Sequence, residues 1–349
     1  MDIALPLAGI RVLDFSRLLP GPYAAMRLAS LGADVLKIEQ PGAGDPARGI
    51  SAAMHRALDT CKRTLALDLK DPAGRAEALR LVDGADVLLE TFRPGVMDRL
   101  GLGWAVLKAR KPDLVMCAIS GYGAAGSLAD RAGHDINYVG WAGMLAANTD
   151  ADGRPVLPNL QVGDLLGGAA LAVQGILAAL LAVRMGGPGR FVDVSMTHGV
   201  FAHNVMPLAA LNDARSGGAP DRAALLTGGV PCYGVYRSRD GRWMAVGALE
   251  LKFWEACCAV LGRPDLARRH WQLGQEPGSA DALAVRAELE ALFATRTQGE
   301  WTAAFAAADC CVSPVLTMAE ALVHPLFAPS ISDDGSGFVT ARCPLRFVA

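Results

Sequence analysis

Residues 10–39 read IRVLDFSRLLPGPYAAMRLASLGADVLKIE, and the order of patterns in this stretch decides the fold. IRVLDF and DVLKIE are short, apolar, strand-like runs, and PYAAMRLASLG between them has helical spacing closed by Gly32. Further along come LALDL at 65–69, a helix opening at Pro72, DVLLE at 86–90, a helix predicted from Pro94, and LVMCAIS at 114–120 before the glycine-rich turn at Gly121 and Gly123. Strands alternating with helices predict a parallel sheet covered on its faces, the α/β doubly wound class. Ligands on such sheets sit beyond the carboxyl ends of the strands. The loops at 17–22, 42–49 and 91–95 occupy those ends and hold the least ordinary residues. The turn after the first strand, SRLLPGP, has no G-x-G-x-x-G, and no G-x-x-x-x-G-K-[ST] occurs in this part, so neither a dinucleotide fingerprint at the first turn nor a P-loop is supported.

The 349 residues are 52% hydrophobic, enough for a large core and more than one domain. With 33 Lys plus Arg against 35 Asp plus Glu and no long charge runs, no global field favours nucleic acid or an anionic membrane. MDIALPLAGIRVLDF lacks the basic start and apolar run of a secretory signal, so a cytoplasmic location is expected. Eight cysteines, without a Cys-x-x-Cys pair, are expected to be reduced thiols. The run at 165–183 is long enough to raise a membrane span, but Gln174 and its glycines favour a core helix.

RFVDVSM at 190–196 reads as one more strand, and residues 197–212 as a helix running into a linker-like stretch, NDARSGGAPDR. A smaller α+β domain follows. Its clearest element is the hairpin CYGVYRSRDGRWMAVGAL, with Asp240 and Gly241 at the turn. The expected division is a large doubly wound domain at 1–212, completed by 318–349, and a small domain at 225–317.

GHDINYVGWAGMLA followed by NLQVGDLLGG brings His134, Asp135 and Asp164 into one region. Histidine suits proton transfer near neutral pH, and a carboxylate does so when burial raises its pKa. Position alone favours a plainer reading of Asp164, as the N-cap of the long helix, where the helix dipole would pull its pKa down. His134 fits a hydrogen-bonded loop histidine equally well, Asp135 reads as structural, and Glu250 as an ordinary first-turn carboxylate. Arg48, Lys62, Arg63, Lys70, Arg93 and Arg99 would form a solvated face, although several fall in strand-end loops where a polyphosphate could bind.

On these motifs the chain resembles the class III CoA-transferase and α-methylacyl-CoA racemase family over nearly its whole length. LAGIRVLDFSRLLPGPYAAMRLASLGADVLKIEQPGAGDPARG is similar to the family's N-terminal signature, and KRTLALDLKDPAG, DVLLETFRPGVMDRLGLG, VGDLLGG and GRFVDVSM follow in order. The resemblance implies an interlocked homodimer of subunits with a Rossmann-like large domain and a smaller domain. It also implies an acyl-CoA substrate, with coenzyme A as part of the substrate and no separate cofactor or metal. GHDINY resembles the racemase branch, which implies His134 and Asp164 as the two bases and Glu250 in support. In the transferase branch the residue matching Asp164 is a nucleophile. The implied CoA cleft comprises Leu18, Arg48, Leu67, Lys70, Thr91, Phe92, Arg93 and Arg99, with Asp135 and Tyr138 beside the bases. Trp141, Met144 and Phe253 are candidates for the acyl pocket, each with a competing core reading. Gln40 and Leu160 stand where relatives often carry arginine and asparagine.

Overall fold

The computed structural model describes residues 5–150, 152–216 and 222–348. The chain divides into two units: residues 1–204 with 330–349, and residues 205–329. The sequence pattern puts the corresponding boundaries at 212 and 318.

The first unit is built on six parallel strands, β1 (Arg11–Asp14), β2 (Asp34–Glu39), β3 (Lys62–Ala66), β4 (Val87–Glu90), β5 (Val115–Ser120) and β6 (Phe191–Ser195), in the order β3-β2-β1-β4-β5-β6. This is the doubly wound order with its switch point between β1 and β4. Because side chains alternate along a strand, neighbours in sequence enter different cores. Val12, Val87, Leu89, Val115 and Cys117 pack with helices Pro20–Ser30 and Leu171–Arg184. Leu13, Leu88 and Met116 pack on the opposite face with helices Pro72–Asp83 and Trp104–Arg110. A strand with both faces covered needs a continuous apolar run, and the buried VLLE of β4 is one.

Several local expectations are corrected. β3 lies at 62–66, because its ladder with β2 runs from Val35–Lys62 to Glu39–Ala66, leaving Leu67 to Leu69 beyond the strand. The helix expected from Pro94 begins at Val96, after Gly95 in the left-handed region at φ 76°, and lasts one turn before helix Trp104–Arg110. The single helix expected at 197–212 is two, Met196–His203 and Val205–Arg215, interrupted at Asn204, whose Nδ2 donates to the Ala142 carbonyl at 2.6 Å. Residues 217–221 of the linker-like stretch lie outside the described residues. The apolar segment Gly163–Arg184 is 22 residues long, with mean hydropathy 2.1 over its best window. Its Ala169, Ala172, Ile176, Ala179 and Leu180 belong to the core under the sheet, so packing accounts for that apolar face.

In the second unit, strands Tyr233–Arg237, Trp243–Gly247 and Val312–Pro314 form an antiparallel sheet. The first two make the expected hairpin, with Gly241 at φ 79° in its turn. Helices Leu251–Val260, Ala280–Phe293 and Gln298–Phe305 enclose a core centred on Trp254, Phe293, Trp301 and Tyr236. All eight cysteines are free, and Cys117, Cys232, Cys257, Cys258 and Cys310 are buried.

Candidate active site

The loops leaving β1 and β4 diverge at the switch point and are tied across it. The Arg17 N–H donates to Thr91 Oγ1 at 2.9 Å, and the Arg17 guanidinium lies 4.8 Å from the centre of the Phe92 ring. Gly21 permits this closeness, since a side chain there would overlap Ser16 and Thr91. Beneath the second loop, the buried Glu90 carboxylate accepts the Phe92 N–H at 2.5 Å. Burial pushes its pKa up to about 8, and Asp193 and Asp98 add to the shift.

A second group of loops brings the acid–base candidates. His134 stands at the N-cap of helix Asp135–Trp141 in extended conformation, and its N–H donates to Asn137 Oδ1 at 3.0 Å. The Tyr138 hydroxyl donates to the Gly133 carbonyl at 2.5 Å, pinning the loop before the histidine. Burial, then the nearby Asp164, pushes the Tyr138 phenol up to about 12. Asp135 Oδ1 accepts the Asp164 N–H at 2.9 Å, so the two segments are joined through one carboxylate.

Asp164 is not the N-cap that its position before an apolar helix predicts. The chain is already helical at Val162 (φ −66°, ψ −39°), and Asp164 lies inside the first turn of a π-helical segment, Gly163–Ala170, which continues as the α-helix Leu171–Arg184. Such wide turns are uncommon and recur at functional sites. Asp164's carboxylate accepts no hydrogen bond from the described residues, and it borders a cavity. The dipole of its own helix favours the ionised form, but burial and then the Asp135 charge outweigh it and raise the Asp164 pKa to about 7.

Close helix packing holds this turn in place. Gly167 and Gly199 face each other where the π-helical segment crosses helix Met196–His203, and a Cβ on either would overlap the other helix's backbone. Gly199→Val is therefore expected to destabilise the protein by about 3 kcal/mol, read as a lowered urea midpoint. An unchanged midpoint would contradict the close crossing.

The cavity has a volume of about 770 Å³, and its lining includes Leu18, Thr91, Phe92, Arg93, His134, Asp135, Tyr138 and Asp164. Eight of the residues singled out from sequence thus meet in one place. Arg48, Leu67, Lys70 and Arg99 do not border it. Arg48 is engaged with Glu39 at 2.8 Å, and the Leu67 N–H with the Glu39 carbonyl at 2.8 Å. Glu250 belongs to the second unit, at the N-cap of helix Leu251–Val260, where its side chain makes no capping bond. Trp141 is 67% exposed and Met144 packs in a small cluster with Val139 and Val200; neither borders the cavity, and Phe253 packs against the second unit's core.

Sequence reasoning missed Met54, Arg131, Gln161 and Met196, which also line the cavity. Arg131 sits three residues before His134, and the start of that helix was the available signal; Met54 and Met196 come from separate helices that no local pattern relates. Arg93 and Arg131 have no ion-pair partner among the described residues, so the cavity offers unpaired cations at its wall beside a carboxylate held near neutral pH.

The model of CoA-transferase family III matches residues 7–332. Human α-methylacyl-CoA racemase is 36% identical over 321 residues, covering 92% of this chain and 80% of the relative. The α subunit of succinyl-CoA–L-malate CoA-transferase from Chloroflexus aurantiacus is 36% identical over 272 residues, covering 75% and 63%. The crystal structure of a CAIB/BAIF family protein from Brucella suis superimposes with a TM-score of 0.83 at 28% identity, over 99% of this chain and 93% of that one. A switch-point cavity in a doubly wound sheet and these similarities lead to one assignment: the chain is an enzyme belonging to CoA-transferase family III, which groups α-methylacyl-CoA racemases with CoA-transferases.

Proposed function

We propose that this enzyme is an acyl-CoA racemase or epimerase of the α-methylacyl-CoA type, moving a proton at the thioester α-carbon between two bases, His134 and Asp164. The observation that carries the reading is that both side chains border one cavity and that Asp164 titrates near pH 7, where a group both takes and gives protons. The thioester carbonyl acidifies the adjacent C–H. One base accepts the proton while the C–H electron pair moves into a planar enolate, and the opposite base then delivers a proton to the other face. Which base acts first depends on the handedness of the substrate. The His134 N–H is already committed to Asn137, so this reading assigns the enolate oxygen to the Asp135 N–H, the first orphan donor of the helix that follows.

In the same reading, Arg93 and its neighbours at the switch-point loops hold the CoA moiety, coenzyme A is part of the substrate, and no further cofactor takes part. Glu250 is assigned a supporting role in this reading. Exposed apolar side chains on the first unit, including Leu181, Met185 and Phe201, are what an interlocked homodimer would cover.

Asp135 gives a direct handle on the proton chemistry. Asp135→Asn keeps an oxygen to accept the Asp164 N–H but removes the neighbouring charge that raises the Asp164 pKa. The limb of the kcat/KM profile that reports Asp164 is expected to move to lower pH, and a limb fixed in place would remove Asp164 from the titration.

The similarity to a succinyl-CoA–L-malate CoA-transferase subunit favours a second reading, in which Asp164 is a covalent nucleophile. The two separate on one experiment. The enzyme is mixed with an acyl-CoA and a carboxylate acceptor, quenched with hydroxylamine, and the peptide carrying Asp164 is weighed. Racemisation leaves it unmodified, whereas an acyl or hydroxamate adduct makes the enzyme a transferase.

A further inference from the structure

Under the loop that leaves β1 lies a group of buried charges that the chemistry above does not use. Lys37 on β2 is wholly buried, and its Nζ donates to Asp45 Oδ2 at 2.9 Å and to the Ser16 carbonyl at 3.2 Å. Asp45, also buried, uses its other oxygen to accept two backbone N–H groups, Leu18 at 3.0 Å and Ala47 at 2.9 Å. Glu39, Asp45 and His55 stand within 4.8 Å of one another, a spacing that could hold a cation. Lys37 on Asp45 and Arg48 on Glu39 already supply positive charge there, so a metal ion is not needed to balance it. Lys62 does the same for Asp14 at 3.1 Å and Asp59 at 3.5 Å.

What the pair holds is unusual. Leu18 has φ 69°, in the left-handed region that a branched side chain disfavours. Both Arg17 and Leu18 border the cavity, and the Arg17 N–H is tied to Thr91 on the far side of the switch point. A backbone in that conformation persists when its surroundings over-determine it, and the Asp45 carboxylate supplies the constraint. Burial opposes charge on both partners, yet the Asp14 charge and Asp45 together raise the pKa of Lys37, and Lys37 with the Ala47 and Leu18 N–H groups lowers that of Asp45.

We propose that Lys37 and Asp45 are positioning residues for ligand binding: Lys37 fixes the Asp45 carboxylate, and Asp45 holds Leu18 in its left-handed conformation so that the β1 loop is shaped for the CoA moiety before the substrate arrives. The inference rests on the reading of the cavity as a CoA site. Neither residue borders the cavity, so each acts through Leu18.

The test measures free coenzyme A binding by calorimetry, and turnover, for the full chain, for Asp45→Ala, and for the double variant Lys37→Met with Asp45→Asn. Removing one partner strands the other and frees the Leu18 N–H. Replacing both with neutral groups of similar shape leaves an amide oxygen for Leu18 and Ala47. Asp45→Ala is expected to weaken binding at least about tenfold and to raise KM with kcat within about threefold, while the double variant, which keeps an acceptor for Leu18 but no Lys37 to fix it, falls between Asp45→Ala and the parent. Equal binding by the parent and Asp45→Ala, or a double variant as weak as Asp45→Ala, overturns the proposal. Should Asp45→Ala fail to fold, amide exchange of the 16–19 segment in the parent protein decides. Protection of the Leu18 N–H without ligand is expected, and free exchange there overturns the idea. A parent protein that binds no CoA refutes the CoA reading itself, an outcome distinct from a parent that binds and a variant that binds equally well.

Discussion

Asp164→Asn is expected to lower α-proton exchange at least about a thousandfold and, in the same protein, to raise stability at pH 7 and above. The first effect follows because an amide neither accepts nor delivers a proton, so both directions of the reaction lose a base. The second follows from linkage. The Asp164 pKa is raised from an ordinary 3.8 to about 7 in the folded protein. As pH rises between those values the unfolded chain releases its proton while the folded chain keeps it, so stability falls across that window and levels off above about pH 7. Asparagine carries no such proton, which removes the slope and recovers on the order of 4 kcal/mol at pH 7. Urea titrations of both proteins at pH 5 and pH 8 read the difference. A variant no more stable than the parent at pH 8 would show that Asp164 is an ordinary solvated carboxylate. The same pKa sets the sign of the activity profile: the direction in which Asp164 takes the proton loses rate below about pH 7, and the direction in which it gives one loses rate above.

His134→Ala is expected to separate the two substrate hands. With Asp164 alone, the substrate whose α-hydrogen faces the carboxylate still exchanges that hydrogen with solvent, but without inversion. The opposite hand, whose hydrogen faces the imidazole, loses exchange by about a hundredfold or more. His134 is exposed, and the bond from its backbone N–H to Asn137 Oδ1 survives truncation of the side chain. CoA affinity should therefore stay within about threefold of the parent. Equal losses for both hands would contradict a division of labour between two faces.

The fold was legible because the patterns that specify it are local. DVLKIE is a strand over the residues expected, Asp34–Glu39, and the run of four buried residues in β4 reflects burial on both faces. The 62–66 strand was misplaced because Leu65, Leu67 and Leu69 alternate past its end, whereas pairing with β2, which stops at Ala66, decides its extent. The break at Asn204 was invisible for a similar reason, since its partner is the carbonyl of Ala142, 62 residues away.

The site was legible in part. His134, Asp135 and Asp164 fall in two neighbouring motifs, and their convergence was readable. The behaviour of Asp164 was not. Sequence position predicts a capping carboxylate with a lowered pKa, whereas burial and Asp135 give a raised one. Asp164 lies inside a wide first turn rather than at the cap, and its neighbour Asp135 comes from a separate segment, neither of which a linear pattern encodes. Arg48 shows what a linear pattern omits: a cation in a strand-end loop reads as a phosphate ligand, and the fold also gives it a carboxylate partner, Glu39.

The most direct test of the two-base account is to incubate the parent enzyme with a single enantiomer of a 2-methylacyl-CoA in deuterium oxide and follow the thioester by mass spectrometry and chiral analysis. The account predicts one deuteron gained at the α-carbon together with inversion, while the CoA thioester stays intact. Recovery of unlabelled thioester of unchanged configuration, with CoA passed to an added carboxylate, would contradict it.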